Sequence, residues 1–170
     1  MKKLILLLAI LLPVIANAMK ISKDEVDEFT GRRTVITSWE SFNHKNIHIR
    51  FRLQNGNQFL DFKYINGEPI VIVEDASLMF KSTSDAITDF KSIATYSGGI
   101  GDGATGLLSS GVWGISASYQ GDISWFLANT TILIRLYQTE GYEDKKFSEK
   151  EGKKLTDLAN LFLTTISDAK

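Results

Sequence analysis

Two Asn-Gly dipeptides, at residues 55–56 and 66–67, constrain the fold of this chain more than any other feature of its sequence. Each lies between runs of β-branched and aromatic residues, a setting in which Asn-Gly favours a two-residue hairpin turn. Because a slip of one residue would move every side chain to the other face, the apolar alternation also predicts the register. The first hairpin is predicted to pair Ile47 with Tyr64, Ile49 with Phe62, Phe51 with Leu60 and, on the opposite face, Arg50 with Asp61.

The second dipeptide is predicted to extend the same sheet. A hairpin turn at 66–67 sets Phe62 opposite Val71 and Leu60 opposite Val73. These pairs would continue the apolar face into a further strand.

The remaining strands are predicted from composition and turn residues. The segment 34–42, TVITSWESF, has strand character and turns back at 43–45, so it completes a four-stranded antiparallel meander with Trp39 as a core residue. A short helix, ISWFLAN, is predicted after its capping residue Asp122. Further strands are predicted in SLMFKST and AITDFKSIATY, which flank a turn at 84–85, in VWGISASYQ, in TILIRLYQ and in YEDKKF after Gly141.

The end of the chain is predicted to form an amphipathic helix. Ser148 and Glu151 have the spacing of a capping box, in which each side chain accepts a hydrogen bond from a backbone N–H of the first turn. The apolar stripe that follows requires a surface to bury it. The predicted fold is therefore α+β, an antiparallel β-sheet meander with an amphipathic C-terminal helix packed on one face. The stripe comprises Leu155, Leu158, Ala159, Phe162 and Ile166.

Residues 1–18, MKKLILLLAILLPVIANA, have the three parts of a secretory signal peptide: two lysines, an apolar run and a small-residue cleavage site. The apolar run is shorter than the roughly 20 residues of a membrane-spanning helix, although an uncleaved anchor is the alternative. Cleavage near Ala18 would leave a single globular α+β domain at 19–170 in the periplasm or outside the cell. The chain has no cysteine, which excludes disulfides, a cysteine-linked lipid anchor and thiol chemistry.

The charge of the predicted mature chain limits its partners. Residues 1–18 contain two of the 19 Lys and Arg and none of the 20 Asp and Glu, so the formal charge becomes 17 − 20 = −3. This mild acidity provides no general attraction to nucleic acid or to an anionic membrane. Neither a nucleic-acid partner nor an integral membrane span is expected in 19–170.

The stretch GDGATG at 101–106 has the glycine spacing of a dinucleotide-binding loop. Such a loop needs a helix that begins at its end, whereas the following residues, LLSSGVWG, disfavour a helix. No nucleotide or other cofactor is therefore expected, and the glycine-rich segment 97–111 is either a flexible connection or irregular hairpin, or the border of another ligand site. For the second case, the expected ligand contacts are Trp113, Asp102 and Tyr119.

No catalytic or metal-binding motif stands out. His44 and His48 are the only histidines, and on a strand they would lie roughly 13 Å apart, too far to share a metal ion. They are predicted to be a surface turn residue and a solvent-facing strand residue. The acidic residues at 24–28 are predicted to form a solvated face. No metal site is expected.

Two segments, DEFTGRRTVITSWE and IRLYQTEGYEDKKFSEKEGKKLTDLANLF, resemble parts of small exported proteins of unknown function from gut Bacteroides-type bacteria. The resemblance spans most of 19–170 but not the glycine-rich segment 97–111. It implies export and a fold, and it transfers no active site.

Together these features favour an exported, non-enzymatic binding or interaction protein. Its expected partner is a small ligand, a glycan or an envelope protein, bound through the glycine-rich segment or the sheet face that the helix leaves uncovered. The alternative is a carboxylate-dependent hydrolase of envelope polymers or glycans, since two suitably spaced acids need no sequence motif. A third possibility is a subunit whose exposed sheet edge pairs with another chain.

Overall fold

The computed structural model describes residues 19–100 and 112–168. About half of these residues belong to one large antiparallel sheet with the strand order β1-β2-β4-β5-β11-β8-β7-β12-β13, in which β3 also pairs with β4 and β10 with β11. Two short strands, β6 and β9, form a separate pair. The strands are β1 (Ile21–Val26), β2 (Arg33–Thr37), β3 (Glu40–Phe42), β4 (Ile47–Gln54), β5 (Asn57–Ile65), β6 (Val71–Ile72), β7 (Ser77–Ser82), β8 (Ile87–Ser92), β9 (Tyr96–Ser97), β10 (Gly99–Ile100), β11 (Trp113–Gln120), β12 (Thr131–Gln138) and β13 (Gly141–Lys146).

The first predicted hairpin is confirmed in turn and register. Asn55 and Gly56 both have positive φ, 53° and 79°, as a type I′ turn requires. The strands β4 and β5 then pair over their whole length. All four predicted pairs are present: Ile47 with Tyr64, Ile49 with Phe62, Phe51 with Leu60 and Arg50 with Asp61.

The second predicted hairpin is wrong. Only Gly67 of the dipeptide has positive φ, and Asn66 does not, so no type I′ turn forms. In the predicted register Pro69 would have lain opposite Tyr64, where it could donate no hydrogen bond to the ladder. The neighbour of β5 is instead β11, and Val71 belongs to β6, which pairs with β9.

The strand predicted at 34–42 is divided by a bulge. Ile36 pairs with Arg52 and Glu40 pairs with Ile49, so four residue steps on this side match three on β4. One extra residue therefore lies between β2 and β3, which is the bulge. The buried Thr37 hydroxyl accepts a hydrogen bond of 2.9 Å from the backbone N–H of Phe51. This hydrogen bond gives the backbone N–H of Phe51 an acceptor at the bulge, where the regular strand pairing is interrupted.

The other predicted strands are present, and β7 and β8 form a hairpin in which Asp85 has a φ of 62°. The predicted short helix is α1 (Trp125–Ala128), but its N-cap residue is Ser124, so the cap predicted at Asp122 is wrong. Asp122 Oδ1 accepts hydrogen bonds from the backbone N–H and the hydroxyl of Ser124, at 2.9 and 2.6 Å, just before α1 begins.

The predicted C-terminal helix is α2 (Glu149–Ser167), and it packs on the sheet against β2, β4 and β12. The capping box is formed as predicted, with the Ser148 hydroxyl accepting from the Glu151 N–H and the Glu151 carboxylate accepting from the Ser148 N–H. Four of the five predicted stripe residues are buried, and Ile166 is half-buried against the core.

The core lies between the inner face of the curved sheet and the two helices. The ring of Phe126 from α1 lies at its centre, with ring centroids of β4, β7 and β8 residues 5.0 to 5.8 Å away. Within 19–100 and 112–168, no helix combines the length and apolar character needed to cross a membrane.

Candidate binding face

The outer face of the sheet, opposite α2, carries a polar and aromatic cluster around the β2–β3 bulge. The bulge directs the Trp39 side chain onto this face, where the Arg50 guanidinium lies 4.4 Å and the Lys63 ammonium 4.9 Å from the ring centroid. Trp39 is half-buried and does not belong to the core, so that sequence prediction is wrong. The reason is the extra residue, which shifts the inward and outward alternation between β2 and β3.

Asp61 lies at the centre of the cluster and bonds to three side chains of the two neighbouring strands, β4 and β11. Its carboxylate accepts from Arg50 Nε at 2.9 Å, Arg52 Nη2 at 2.9 Å and the Ser118 hydroxyl at 2.7 Å. Arg52 Nε adds a further contact of 3.0 Å. The acid that the hairpin register placed opposite Arg50 is therefore shared between two guanidinium groups and one hydroxyl group.

Burial and hydrogen bonding act on this carboxylate in opposite directions. Burial alone would raise the pKa of Asp61, but hydrogen bonds from Arg52, Ser118 and Arg50 outweigh it and lower the pKa below the ordinary value. The Asp61 side chain is 6% exposed, whereas that of Arg50 is 29% exposed. Asp61 thus stays ionised at neutral pH and holds the arginine side chains at the surface.

A second cation–π contact extends the cluster, because the Arg52 guanidinium lies 4.4 Å from the centroid of the half-buried Phe59 ring. Burial also lowers the pKa of the Lys63 ammonium, and the nearby charge of Arg50 adds to this effect. Three cationic side chains and one carboxylate leave a formal charge of +2. We call this cluster the Trp39 patch; it comprises Trp39, Arg50, Arg52, Phe59, Asp61, Lys63 and Ser118.

His48 extends from β4 beside the Trp39 patch, and its predicted exposure to solvent is wrong. Its side chain is buried because β3 and β5 flank it, with Ser41 and Lys63 as its cross-strand neighbours. The Ser41 hydroxyl lies 3.0 Å from Nδ1. Burial lowers the pKa of His48, so the imidazole is neutral at pH 7. His44, in the turn at Asn43–Lys45, is exposed as predicted.

The residues predicted as ligand contacts from the sequence are not brought together by the described part of the fold. Trp113 is half-buried at the start of β11, and its carbonyl accepts from the N–H groups of Asn66 and Gly67. Tyr119 is fully buried, with its ring edge-on to Phe62. Asp102 and the whole GDGATG stretch lie outside the described residues.

The Tyr119 hydroxyl is unusual among buried groups. Within the described residues it has no hydrogen-bond partner, and burial raises the pKa of this phenol well above its ordinary value. The ligand contacts predicted at Trp113, Asp102 and Tyr119 stay predictions.

A polar cavity of about 210 Å³ lies between residues 66–71 and residues 138–140. The exposed side chains of Glu68 and Glu140 line it. Gln138 also lines it, and its Oε1 is buried without a hydrogen-bond partner among the described residues. The cavity borders β6, which pairs with β9 at the entrance to the glycine-rich segment. It therefore combines two carboxylates in one concave site.

An open groove of about 220 Å³ lies on the outer face between β7 and β12, with Met79 and Leu133 among its lining residues. Its two cations already have partners. Lys81 pairs with Asp85 at 2.6 Å, and Arg135 binds Asp144 through two hydrogen bonds of 2.6 and 2.7 Å. The groove is therefore mainly apolar and its charges are balanced.

Within the part of the chain that the structure describes, no group of three or more His, Asp or Glu residues is placed to hold a metal ion.

Sequence reasoning identified the Arg50 and Asp61 pair but missed the other members of the Trp39 patch. The alternation of Arg50, Arg52 and apolar residues in β4 was the available signal for the second arginine.

Comparison of the chain with protein-family models, with curated proteins and with solved structures finds no match.

Proposed function

We propose that this chain is an exported, non-enzymatic binding protein and that it binds an anionic partner through the Trp39 patch. The observation that supports this proposal is the formal charge of +2 on the Trp39 patch of a chain whose net formal charge is −1. Complementary charge attracts a partner and orients it on the surface. Aromatic and arginine side chains are also enriched among the residues that contribute most to binding energy.

The proposed location is the periplasm or the exterior of the cell. The signal-peptide pattern of residues 1–18 and the resemblance to exported Bacteroides-type proteins both support it. Anionic partners in that location include acidic glycans, small carboxylate ligands and acidic segments of envelope proteins. A nucleic acid fits less well, because its binding surfaces carry broader basic stripes than three side chains.

Binding isotherms of the purified protein test this proposal. We expect polygalacturonate, an acidic glycan, to bind at sub-millimolar concentration and dextran, a neutral one, not to bind. Affinity should fall as salt is raised from 50 to 500 mM, because the Arg50 side chain is partly exposed and salt screens exposed charges. If no acidic glycan, anionic vesicle or acidic peptide binds at low salt, the proposal is wrong.

A second candidate function is a carboxylate-dependent hydrolase at the polar cavity. The supporting observation is that Glu68 and Glu140 line one concave site. Hydrolysis of a glycosidic bond requires two such carboxylates, one as acid and one as base or nucleophile. Release of reducing ends from cell-wall polysaccharides would support it if Glu68→Gln and Glu140→Gln each abolished the release while Glu74→Gln, an exposed acid outside the cavity lining, did not.

A further inference from the structure

We infer that Arg50 is the oxyanion receptor of the Trp39 patch and that its ligand is the carboxylate of an acidic sugar in a glycan. This inference rests on the proposed function and adds to it the chemical class of the ligand and the residue that recognises it. It follows from a difference between the two arginines that share Asp61.

Arg52 uses its donors within the protein. Its Nε and Nη2 bond to Asp61, Nη2 also lies 3.2 Å from the Ser118 hydroxyl, and Nη1 donates to Gln54. Its side chain is 15% exposed. Arg52 therefore supports the carboxylate of Asp61 and has little capacity left for a ligand.

Arg50 is bonded differently. Its hydrogen bond within the described residues is made by Nε, to Asp61 at 2.9 Å, and both Nη groups are left for another acceptor. The side chain is about twice as exposed as that of Arg52. The two Nη groups of a guanidinium form a planar fork that matches the two oxygens of a carboxylate.

The fork is held in place before a ligand arrives. Asp61 fixes the Nε edge of Arg50, and the Trp39 ring packs against its guanidinium at 4.4 Å. Asp61 is itself held by Arg52 and Ser118. A receptor group that is already oriented loses less side-chain entropy on binding, which favours affinity.

The neighbours of the fork favour an acidic sugar. The aromatic rings of Trp39 and Phe59 are partly exposed on the same face and can pack against the apolar C–H surface of a pyranose. The Lys63 ammonium, 4.9 Å from the Trp39 ring, adds a second positive charge near the site. A uronate unit presents both features, a planar carboxylate and a flat ring.

The test compares trigalacturonate with its fully methyl-esterified form, which has the same rings and no charge. Isothermal titration would be performed on the wild-type protein and on three variants: Arg50→Gln, Arg50→Lys and Lys91→Gln. Lys91 is exposed on β8 outside the Trp39 patch, so its variant controls for the loss of one positive charge.

We expect the esterified trimer and the Arg50→Gln variant each to show affinity weakened by about tenfold to a hundredfold, the range for hydrogen bonds to a charged group. Arg50→Lys keeps the charge but loses the fork, and we expect about tenfold weaker binding. Lys91→Gln should change affinity by less than about twofold. Urea unfolding of each variant would verify that the fold persists.

Three results would overturn the inference, and they differ from failure of the proposed function. If trigalacturonate binds the wild-type protein but Arg50→Lys binds equally well, general charge attraction explains binding and the fork does not. If the esterified trimer binds as well as the acid, the carboxylate is not recognised. If inorganic sulfate or an acidic peptide binds while trigalacturonate does not, the Trp39 patch has another class of ligand, whereas absence of all anion binding removes the proposed function itself.

Discussion

Asp61 is the residue on which the organisation of the outer face depends most. Replacing it by Asn leaves two guanidinium groups close together without their shared carboxylate. We expect Asp61→Asn to lower the free energy of unfolding by about 3 kcal/mol, because removing one member of a buried ion pair leaves the other charges uncompensated. Urea denaturation at pH 7 measures this change.

Asp144→Asn is the matched control. Asp144 also accepts two hydrogen bonds from an arginine, Arg135, but it lies in an exposed edge strand. Exposed ion pairs contribute about 0 to 1 kcal/mol, so its loss should be small. Equal effects of the two substitutions would show that burial of Asp61 adds nothing to its ion pairs.

His48 predicts a pH dependence of stability. Burial lowers the pKa of His48 in the folded protein below its value of 6.5 in the unfolded chain, so the unfolded chain takes up the proton first as pH falls. This contribution to stability is full above pH 6.5 and is lost progressively below it, down to the folded pKa. The wild-type free energy of unfolding should therefore fall between pH 7 and 5.

The variants His48→Gln and His44→Gln separate the two histidines. The slope of stability against pH should flatten in His48→Gln and persist in His44→Gln, whose side chain is exposed. Urea unfolding at half-unit pH steps measures both slopes. Because slopes are compared, a change in stability at pH 7 caused by either substitution does not affect the result. An unchanged slope in His48→Gln would contradict the burial of this imidazole.

At the residue scale, the sequence predicted contacts that depend on one hairpin and missed those that depend on distant strands. The pairing of Arg50 with Asp61 followed from the turn at 55–56 alone. Ser118 could not be predicted, because nothing local indicates that β11 lies beside β5. Trp39 was misplaced since one additional residue in a bulge reverses the direction of a side chain.

At the scale of elements, Gly152 in α2 reveals how closely the helix approaches the sheet. A Cβ added there would lie 2.2 Å from the Thr131 carbonyl oxygen and 2.9 Å from Thr130 Cγ2. Gly→Ala in a helix interior ordinarily stabilises by about 1 kcal/mol. Here we expect Gly152→Ala to destabilise by at least about 1 kcal/mol, because the backbone of β12 would have to move.

Asn160→Ala tests helix propensity alone, since Asn160 is exposed on the same helix. This substitution should stabilise the protein by about 0.5 kcal/mol. Thermal unfolding followed by circular dichroism would compare the two variants. If Gly152→Ala is also stabilising, α2 does not lie in close contact with β12.

The two Asn-Gly dipeptides explain what could be predicted about elements. The pattern at 55–56 was sufficient to predict a hairpin, because both residues adopt positive φ and long alternating strands lie on either side of them. The same dipeptide at 66–67 failed, because Pro69 follows and the N–H groups of 66 and 67 bond to the Trp113 carbonyl. That partner lies far away in the sequence, so the competing contact was invisible to local reasoning.

At the scale of the whole molecule, β1 and β13 are the terminal strands of the main strand order within the described residues. Charged residues dominate both strands, KDE in β1 and EDKK in β13, and charged edge strands discourage pairing with another chain. We therefore expect the purified protein to be monomeric. Light scattering coupled to size exclusion should give the mass of one chain, and a stable dimer would favour the alternative of an edge that pairs with a partner.

The α+β class and the packing of α2 on the sheet were predictable from periodicity and capping, because both signals are local. The strand order was not, since it brings β5 beside β11 across a separation of about 50 residues. In the candidate site, Ser118 depends on that order and Trp39 depends on the bulge between β2 and β3. The sequence pattern indicated neither feature, so it suggested a face of the sheet for binding but did not predict the Trp39 patch.

The three tryptophans, used as separate reporters, provide the most direct test of binding at the Trp39 patch. Each indole N–H of Trp39, Trp113 and Trp125 gives its own signal in a ¹⁵N-¹H NMR spectrum, and Trp→Phe variants assign the three signals. On titration with trigalacturonate, binding at the Trp39 patch should shift the Trp39 signal progressively and leave the other two signals unmoved. A shift confined to Trp113, or no shift at millimolar ligand, would contradict binding at the Trp39 patch.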